Sequence, residues 1–276
     1  MTIALSHLKP GLYIVPTPIG NLKDITMRAL EVLASVDVIA CEDTRVSGKL
    51  LSHYGIQKKL IAYHEHNGER MRPEILSLIS EGKSIALISD AGTPLISDPG
   101  FKLVRDICDK GLYLTSLPGP SSVMTALTLS GFPTDHFVFA GFVNTKDFDA
   151  LKMLPYTLIF FSTANKLLGD LARMREIFIG RQVAIVREIS KMFEEVVRGT
   201  FDDIEVYYKS HVLKGEIVLL LSPTTSTDVI DWQTIDRTIL LEKKTSAKDL
   251  SEALAEIYRI PKRTLYQRII EMRRGD

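Results

Sequence analysis

The sequence predicts an α/β protein built from two α/β domains with a cleft between them and a small C-terminal helix-turn-helix. Three observations predict it. Strand-length apolar runs alternate with amphipathic stretches over residues 12–131, the βαβ rhythm of a parallel sheet covered by helices. A second set of strands with fewer helices between them follows over 137–222. Residues 240–276 then change to helical periodicity with a basic bias.

In the first half, strand LYIV (12–15) leads into a helix at 26–35, VDVIAC (36–41) into one at 45–54, and KLIAY (59–63) into one at 69–81. SIALIS (84–89) precedes a helix near 100–110, and LYLTSL (112–117) one near 121–130. Gly55, Gly82 and Gly131 follow helical stretches, where a left-handed cap favours glycine. Gly131-Phe132-Pro133 reads as the seam, so domains are expected at 1–131 and 132–228. In the second half FVFAGF (137–142), YTLIFFS (156–162), QVAIVREI (182–189), EVVRGTF (195–201) and GEIVLLLS (215–222) suggest a mixed sheet with a covering helix at 165–178. SPTTSTDVIDWQT, from Ser222, reads as a polar linker.

A third domain is expected at 240–276. Ser246 and Asp249 have capping-box spacing, and Leu250, Ala253, Leu254 and Ile257 form an apolar stripe. Pro261 breaks that helix, and Leu265, Ile269 and Met272 mark the face of a second. Between Arg259 and Arg274 six basic residues stand against Glu271 alone. Lys262, Arg263 and Arg268 are therefore candidate RNA phosphate contacts, the alternative being a solvated face or an oligomer contact.

The whole chain of 276 residues is electrically balanced, with 34 Lys and Arg against 34 Asp and Glu. That excludes coating nucleic acid by bulk attraction and leaves room for a local basic surface. Two cysteines, Cys41 and Cys108, exclude a disulfide framework or a cysteine-rich zinc site, and both are expected as small core residues. The N-terminal residues lack a signal-peptide pattern and no apolar run approaches the roughly 18 residues of a membrane span. A cytoplasmic protein outside the membrane is expected.

Four strand ends carry candidate chemistry. PTPIGN (16–21), SDAGTPLISDPG (89–100) and LPGPSS (117–122) are rigid bends where open α/β sheets bind ligands, and the last leads into a helix N-terminus able to hold a carboxylate. Neither GxGxxG nor a Walker A sequence is present. The prolines favour a shaped backbone surface over a metal cage at Asp90 and Asp98, and no metal is expected. CEDTR (41–45) places Glu42, Asp43 and Arg45 to orient a hydroxyl, accept its proton or contact phosphate, with a local ion pair as the alternative. Arg187, Glu188 and Lys191 are further cleft candidates. His64-Glu65-His66-Asn67 lacks the further ligands of a metal site.

Taken in order, PTPIGNLKDIT, CEDTR, SDAGTPLISDPG, LPGPSS, REISKMFEE and KGEIVLLL resemble the rRNA-modifying branch of the tetrapyrrole methylase superfamily over nearly the whole chain. The resemblance implies two α/β domains, S-adenosyl-L-methionine in the cleft, a homodimer, and 2′-O-methylation of a cytidine in the decoding region of 16S rRNA in the 30S subunit. By motif it implies a donor pocket of Pro16, Thr17, Asp90, Gly92, Thr93, Ile96, Ser121 and Ser122, closed by Phe161 and Glu216. Loop position suggests Glu42 or Asp43 as base or orienter, with Arg45 and Lys191 on phosphate. A small-molecule tetrapyrrole methyltransferase and a non-catalytic ribosome assembly factor are the alternatives.

Overall fold

The computed structural model describes residues 8–211, 213–224, 232–242, 244–258 and 260–274. The first sheet has the order β3-β2-β4-β1-β5, from β1 (Gly11–Ile14), β2 (Val38–Cys41), β3 (Lys59–Ala62), β4 (Ser84–Ile88) and β5 (Leu114–Ser116). All four pairings are parallel, as the runs of Ile, Val and Leu buried on both faces require. One face packs Val32 and Leu33 of α1 (Met27–Ser35) and Leu51 of α2 (Thr44–His53). The other packs Ile75 of α3 (Gly68–Ser80) and Leu103 and Ile107 of α4 (Phe101–Asp109).

Cys41 is buried but Cys108 is exposed, contrary to the expectation for both. The buried stripe of α4 runs through Leu103 and Ile107, and the next position on a helix turns outward.

The second sheet has the order β6-β7-β10-β8-β9, from β6 (Phe137–Phe142), β7 (Thr157–Thr163), β8 (Val183–Arg187), β9 (Glu195–Gly199) and β10 (Glu216–Leu221). Only β6 and β7 run parallel; the remaining pairs are antiparallel. Helix α5 (Ser122–Ser130) buries Val123, Ala126 and Leu127 with Ile159, Ala184 and Val218 of this sheet. A helix that ends the first half in sequence thus packs on the second sheet, ahead of the Gly131–Pro133 seam. A short α6 (Phe148–Leu151) and then α7 (Leu167–Ile177) precede β8.

Sequence periodicity missed α8 (Phe201–Ser210). Its Val206, Tyr207 and Tyr208 weaken helix propensity. What sets it is a capping box, in which Thr200 and Asp203 bond each other's backbone amides.

Both sheets belong to one compact unit, Met1–Lys152 with Tyr156–Pro223; Met153–Pro155 with Thr224–Asp276 form a second. The second unit contains α9 (Trp232–Leu241), α10 (Ala247–Tyr258) and α11 (Lys262–Arg274) around Ile235, Ile239, Leu250, Leu254, Leu265 and Ile269. Helix α9 begins inside the expected linker, whose residues 225–231 lie outside the described residues, as does Arg259. Ser246 accepts from the Asp249 amide at 3.1 Å, the expected cap. Ala253 and Ile257 are exposed rather than part of the apolar stripe, because the helix buries the face of Leu250, Ser251 and Leu254. Among the described residues no helix is long and apolar enough to cross a membrane.

Candidate active site

The C-terminal ends of β4 and β5 face the end of β7 and the start of β10 across a cavity of about 350 Å³. Backbone geometry forms its floor. Thr17 and Gly92 exchange two backbone hydrogen bonds, at 2.9 and 3.0 Å, and the Thr17 hydroxyl donates to the Ser89 carbonyl at 3.1 Å. Gly92 has φ +82°, a left-handed conformation that favours glycine. Thr93 Oγ1 then donates to the Pro120 carbonyl at 2.9 Å, joining the second loop to the third. Ser121 caps α5 by accepting from the Met124 amide.

Asp90, Gly92, Thr93, Ile96, Ser121, Ser122, Phe161 and Glu216 all line this cavity. Pro16 and Thr17 do not: both are buried, and they shape the wall from behind. Phe142 and Phe161, at a centroid distance of 5.5 Å, close the apolar side with Ile19, Ile189 and Ile217. The two halves meet tightly at Gly20, where an added Cβ would lie 2.6 Å from the Ile189 carbonyl oxygen.

Three carboxylates, of Asp90, Asp98 and Glu216, are the charged groups of the wall. Asp98 carries the largest perturbation: burial pushes its carboxyl up to about 6, a Ser89 hydrogen bond opposes this, and Glu42 and Asp90 add to the rise. Burial also raises Glu42, with Asp90 contributing and His64 opposing. Glu42 is outside the cavity wall but within the field of Asp90. In the sequence Asp98 reads as a backbone feature of its loop, with a metal cage shared with Asp90 as the competing reading. Its signal was a carboxylate between left-handed residues, Leu95 (φ 73°) and Ser97 (φ 65°) before it and Gly100 (φ 138°) after it, a strained segment of the kind that clusters at functional sites. Thr163, also missed, lines the cavity with its Oγ1 buried and unpartnered.

Asp43 is poorly suited to accept a proton. It caps α2 through the Arg45 amide at 2.8 Å and pairs with the Arg45 guanidinium at 2.6 Å. Those Arg45 bonds hold its carboxyl down to about 2. Its own amide donates to Asp90 Oδ1 at 3.2 Å, so it positions Asp90. Arg45, though exposed, shares its charge with Asp43.

Arg187 pairs with Glu195 at 3.1 Å and donates to the Lys214 carbonyl, which ties β8 to β9 and to the turn before β10. Lys191 bonds Glu188 at 2.9 Å and Glu216 at 3.0 Å, neutralising the cavity rim.

In the helical unit the basic residues differ in the same way. Arg268 makes a bidentate pair with Asp236, both bonds at 2.6 Å, and lies 4.2 Å from the centre of the Trp232 ring. Lys262 pairs with Glu252, and Arg273 donates to the carbonyls of Thr245 and Glu242. Arg263 remains exposed. Among the described side chains of that basic stretch, Lys262, Arg268 and Arg273 thus meet acids or carbonyls of the same unit, and Arg263 does not.

The Tetrapyrrole (Corrin/Porphyrin) Methylases profile matches residues 11–205. The chain is 51% identical over 221 residues to a Rickettsia prowazekii protein named "Ribosomal RNA small subunit methyltransferase I", covering 78% of this chain and 79% of that one. The chain belongs to the tetrapyrrole methylase family. A Mesorhizobium japonicum methylase of the same name is 44% identical, over 96% of this chain and 93% of its own. Among solved methylases, the Thermus thermophilus uroporphyrin-III C-methyltransferase complexed with S-adenosyl homocysteine superposes with a TM-score of 0.54. It is 17% identical and covers 76% of this chain and 96% of its own, a likeness of fold. The two facing sheets, with a cavity at the strand ends, are this tetrapyrrole methylase's version of that fold.

Proposed function

We propose that this methylase transfers a methyl group from S-adenosyl-L-methionine to the ribose 2′-oxygen of a cytidine in the decoding region of 16S rRNA, acting on the 30S subunit as a homodimer. The observation that carries it is the near full-length likeness to relatives named for rRNA small subunit methylation.

The cavity walls fit such a donor. Apolar faces of Ile19, Ile96 and Phe161 suit its adenosine, the wall carboxylates suit a cation, and the unpartnered Thr163 hydroxyl suits a polar group of the ligand. When bound, the donor supplies a methyl carbon activated by its sulfonium. The protein then has to align the attacking oxygen and exclude water. The Thr17–Gly92 and Thr93–Pro120 bonds hold the bends rigid for this task. The sugar hydroxyl is a weak acid and needs an acceptor for its proton. Glu42, whose proton affinity burial raises, fills that role with Asp90 beside it. Met192 and Phe193, 89% and 69% exposed, support a second copy as partner.

Incubation with 30S subunits and labelled donor, followed by mapping of the label, tests the proposal. A 2′-O-methyl cytidine in 16S rRNA is expected. Label on a base, or in a tetrapyrrole and not in rRNA, would overturn it.

A further inference from the structure

The cavity wall holds carboxylates and, among the described residues, no Lys, Arg or His. Two of the three carboxylates have positive neighbours elsewhere. Glu216 bonds Lys191 at 3.0 Å, and Asp90 lies in the field of Arg45. Asp98 is different. The groups that act on it are the Ser89 hydroxyl and two like charges, Glu42 from the end of β2 and Asp90 from the end of β4. His64 and Asp43 act on Glu42 in turn. A partly buried carboxylate with no cation is costly, and the positive φ angles at Leu95 and Ser97 add backbone strain beside it. The chain bears both costs in one loop, whose Ile96, Ser97 and Asp98 face the cavity.

We infer that Asp98 reads the positive charge on the donor's sulfur, so that the cavity holds the charged donor more tightly than its uncharged thioether product. This rests on the cofactor proposed above. S-adenosylmethionine and S-adenosylhomocysteine share their adenosine, α-ammonium and α-carboxylate; they differ by one methyl and one positive charge. On transfer, the carbon–sulfur bond breaks with its electron pair left on sulfur, the new carbon–oxygen bond forms, and the hydroxyl proton passes to the acceptor. The positive charge on sulfur disappears in that step, which favours release of the product over the donor.

Because burial pushes Asp98 up to about 6, discrimination is switchable within an accessible pH range. The ionised form reads the sulfonium, so preference for the donor is full above that value and is lost as pH falls through it. Calorimetric titration of the full-length protein with each ligand at about pH 8 and about pH 5 tests this. In the wild type, the ratio of product to donor dissociation constants is expected to be about tenfold larger at the higher pH. Asp98→Asn should give a small, pH-independent ratio while still binding the product, which shows that its cavity is folded. Asp90→Asn should keep a pH-dependent ratio, with the change moved to lower pH because one like charge acting on Asp98 is gone. A wild-type ratio that does not change with pH, or an Asp98→Asn ratio equal to the wild type's, would overturn the inference. Parallel loss of both ligands at low pH would also overturn it, by pointing to the shared ammonium, and would leave the cofactor proposal standing. Failure of both ligands to bind the wild type at either pH would overturn both.

Discussion

The cleft and the C-terminal helices each carry charged residues that are conspicuous in the sequence, and folding treats the two groups in opposite ways. In the helical unit two of the candidate cations meet partners of their own unit: Arg268 is clamped by Asp236 and stacked on Trp232, and Lys262 is paired with Glu252. In the cleft, Asp98 meets only like charge and a hydroxyl. A charge that is satisfied internally contributes to stability; one held without a counter-charge stores free energy that a ligand can release. The difference separates residues that build the scaffold from residues that are ready to bind.

The largest effect expected from that contrast lies at the proton acceptor. Glu42→Gln should lower single-turnover methylation of 30S subunits about 100-fold and leave donor affinity within about twofold. Asp43→Asn should cost turnover far less and mainly weaken the α2 cap, by about 1 kcal/mol in chemical denaturation. Equal losses in the two variants would remove the distinction drawn between them.

Next in size is the close approach at Gly20. An alanine Cβ there must push away the Ile189 carbonyl, so Gly20→Ala should part the two loops and weaken donor binding about tenfold in calorimetry. Unchanged affinity would show that the cavity does not depend on this contact.

The helical unit gives a paired comparison. Arg268→Ala should destabilise it by about 1–2 kcal/mol, discounted because the guanidinium is partly exposed. Arg263→Ala should leave stability within about 0.5 kcal/mol and reduce the salt dependence of RNA binding by about one phosphate contact. If Arg268→Ala instead proved stable but defective in RNA binding, the division between scaffold and binding residues would be broken there.

A further effect is expected on stability at Asp98. Its folded carboxyl titrates at about 6, above the roughly 3.9 of an unfolded chain, so folding favours the protonated form. That contribution is complete below about pH 4 and is lost as pH rises through about 6. Asp98→Asn should therefore raise the melting temperature above pH 6, by the equivalent of about 1 kcal/mol after solvent screening, and leave it unchanged near pH 4. A lower melting temperature at pH 8 would mean that the carboxylate is stabilising as it stands.

The strands of both sheets and the helices of the first half were legible in the sequence because burial on both faces of a parallel sheet and a 3.6-residue period leave unmistakable patterns. The bends at 16–21, 89–100 and 117–122 were legible as well, since proline and glycine restrict backbone locally. Helices α8 and α9 were not. The first is set by a capping box against its own propensities, and the second by packing of Ile235 and Ile239 within its unit. Side-chain partnership was legible only where it is local, as in the Asp43–Arg45 pair and the Ser246–Asp249 cap. Arg187 and Arg268 look like free cations in a linear chain, and Asp98 looks like a turn residue.

What the sequence determined by itself is therefore what depends on neighbours along the chain: strand and helix periods, caps, and the rigid bends that shape a binding floor. Which carboxylate faces the cavity without a cation, which arginine is already bound, and which sheet α5 covers were decided by tertiary structure. Charge interactions and burial act through space, between residues as far apart as Asp236 and Arg268, and no local pattern encodes that distance.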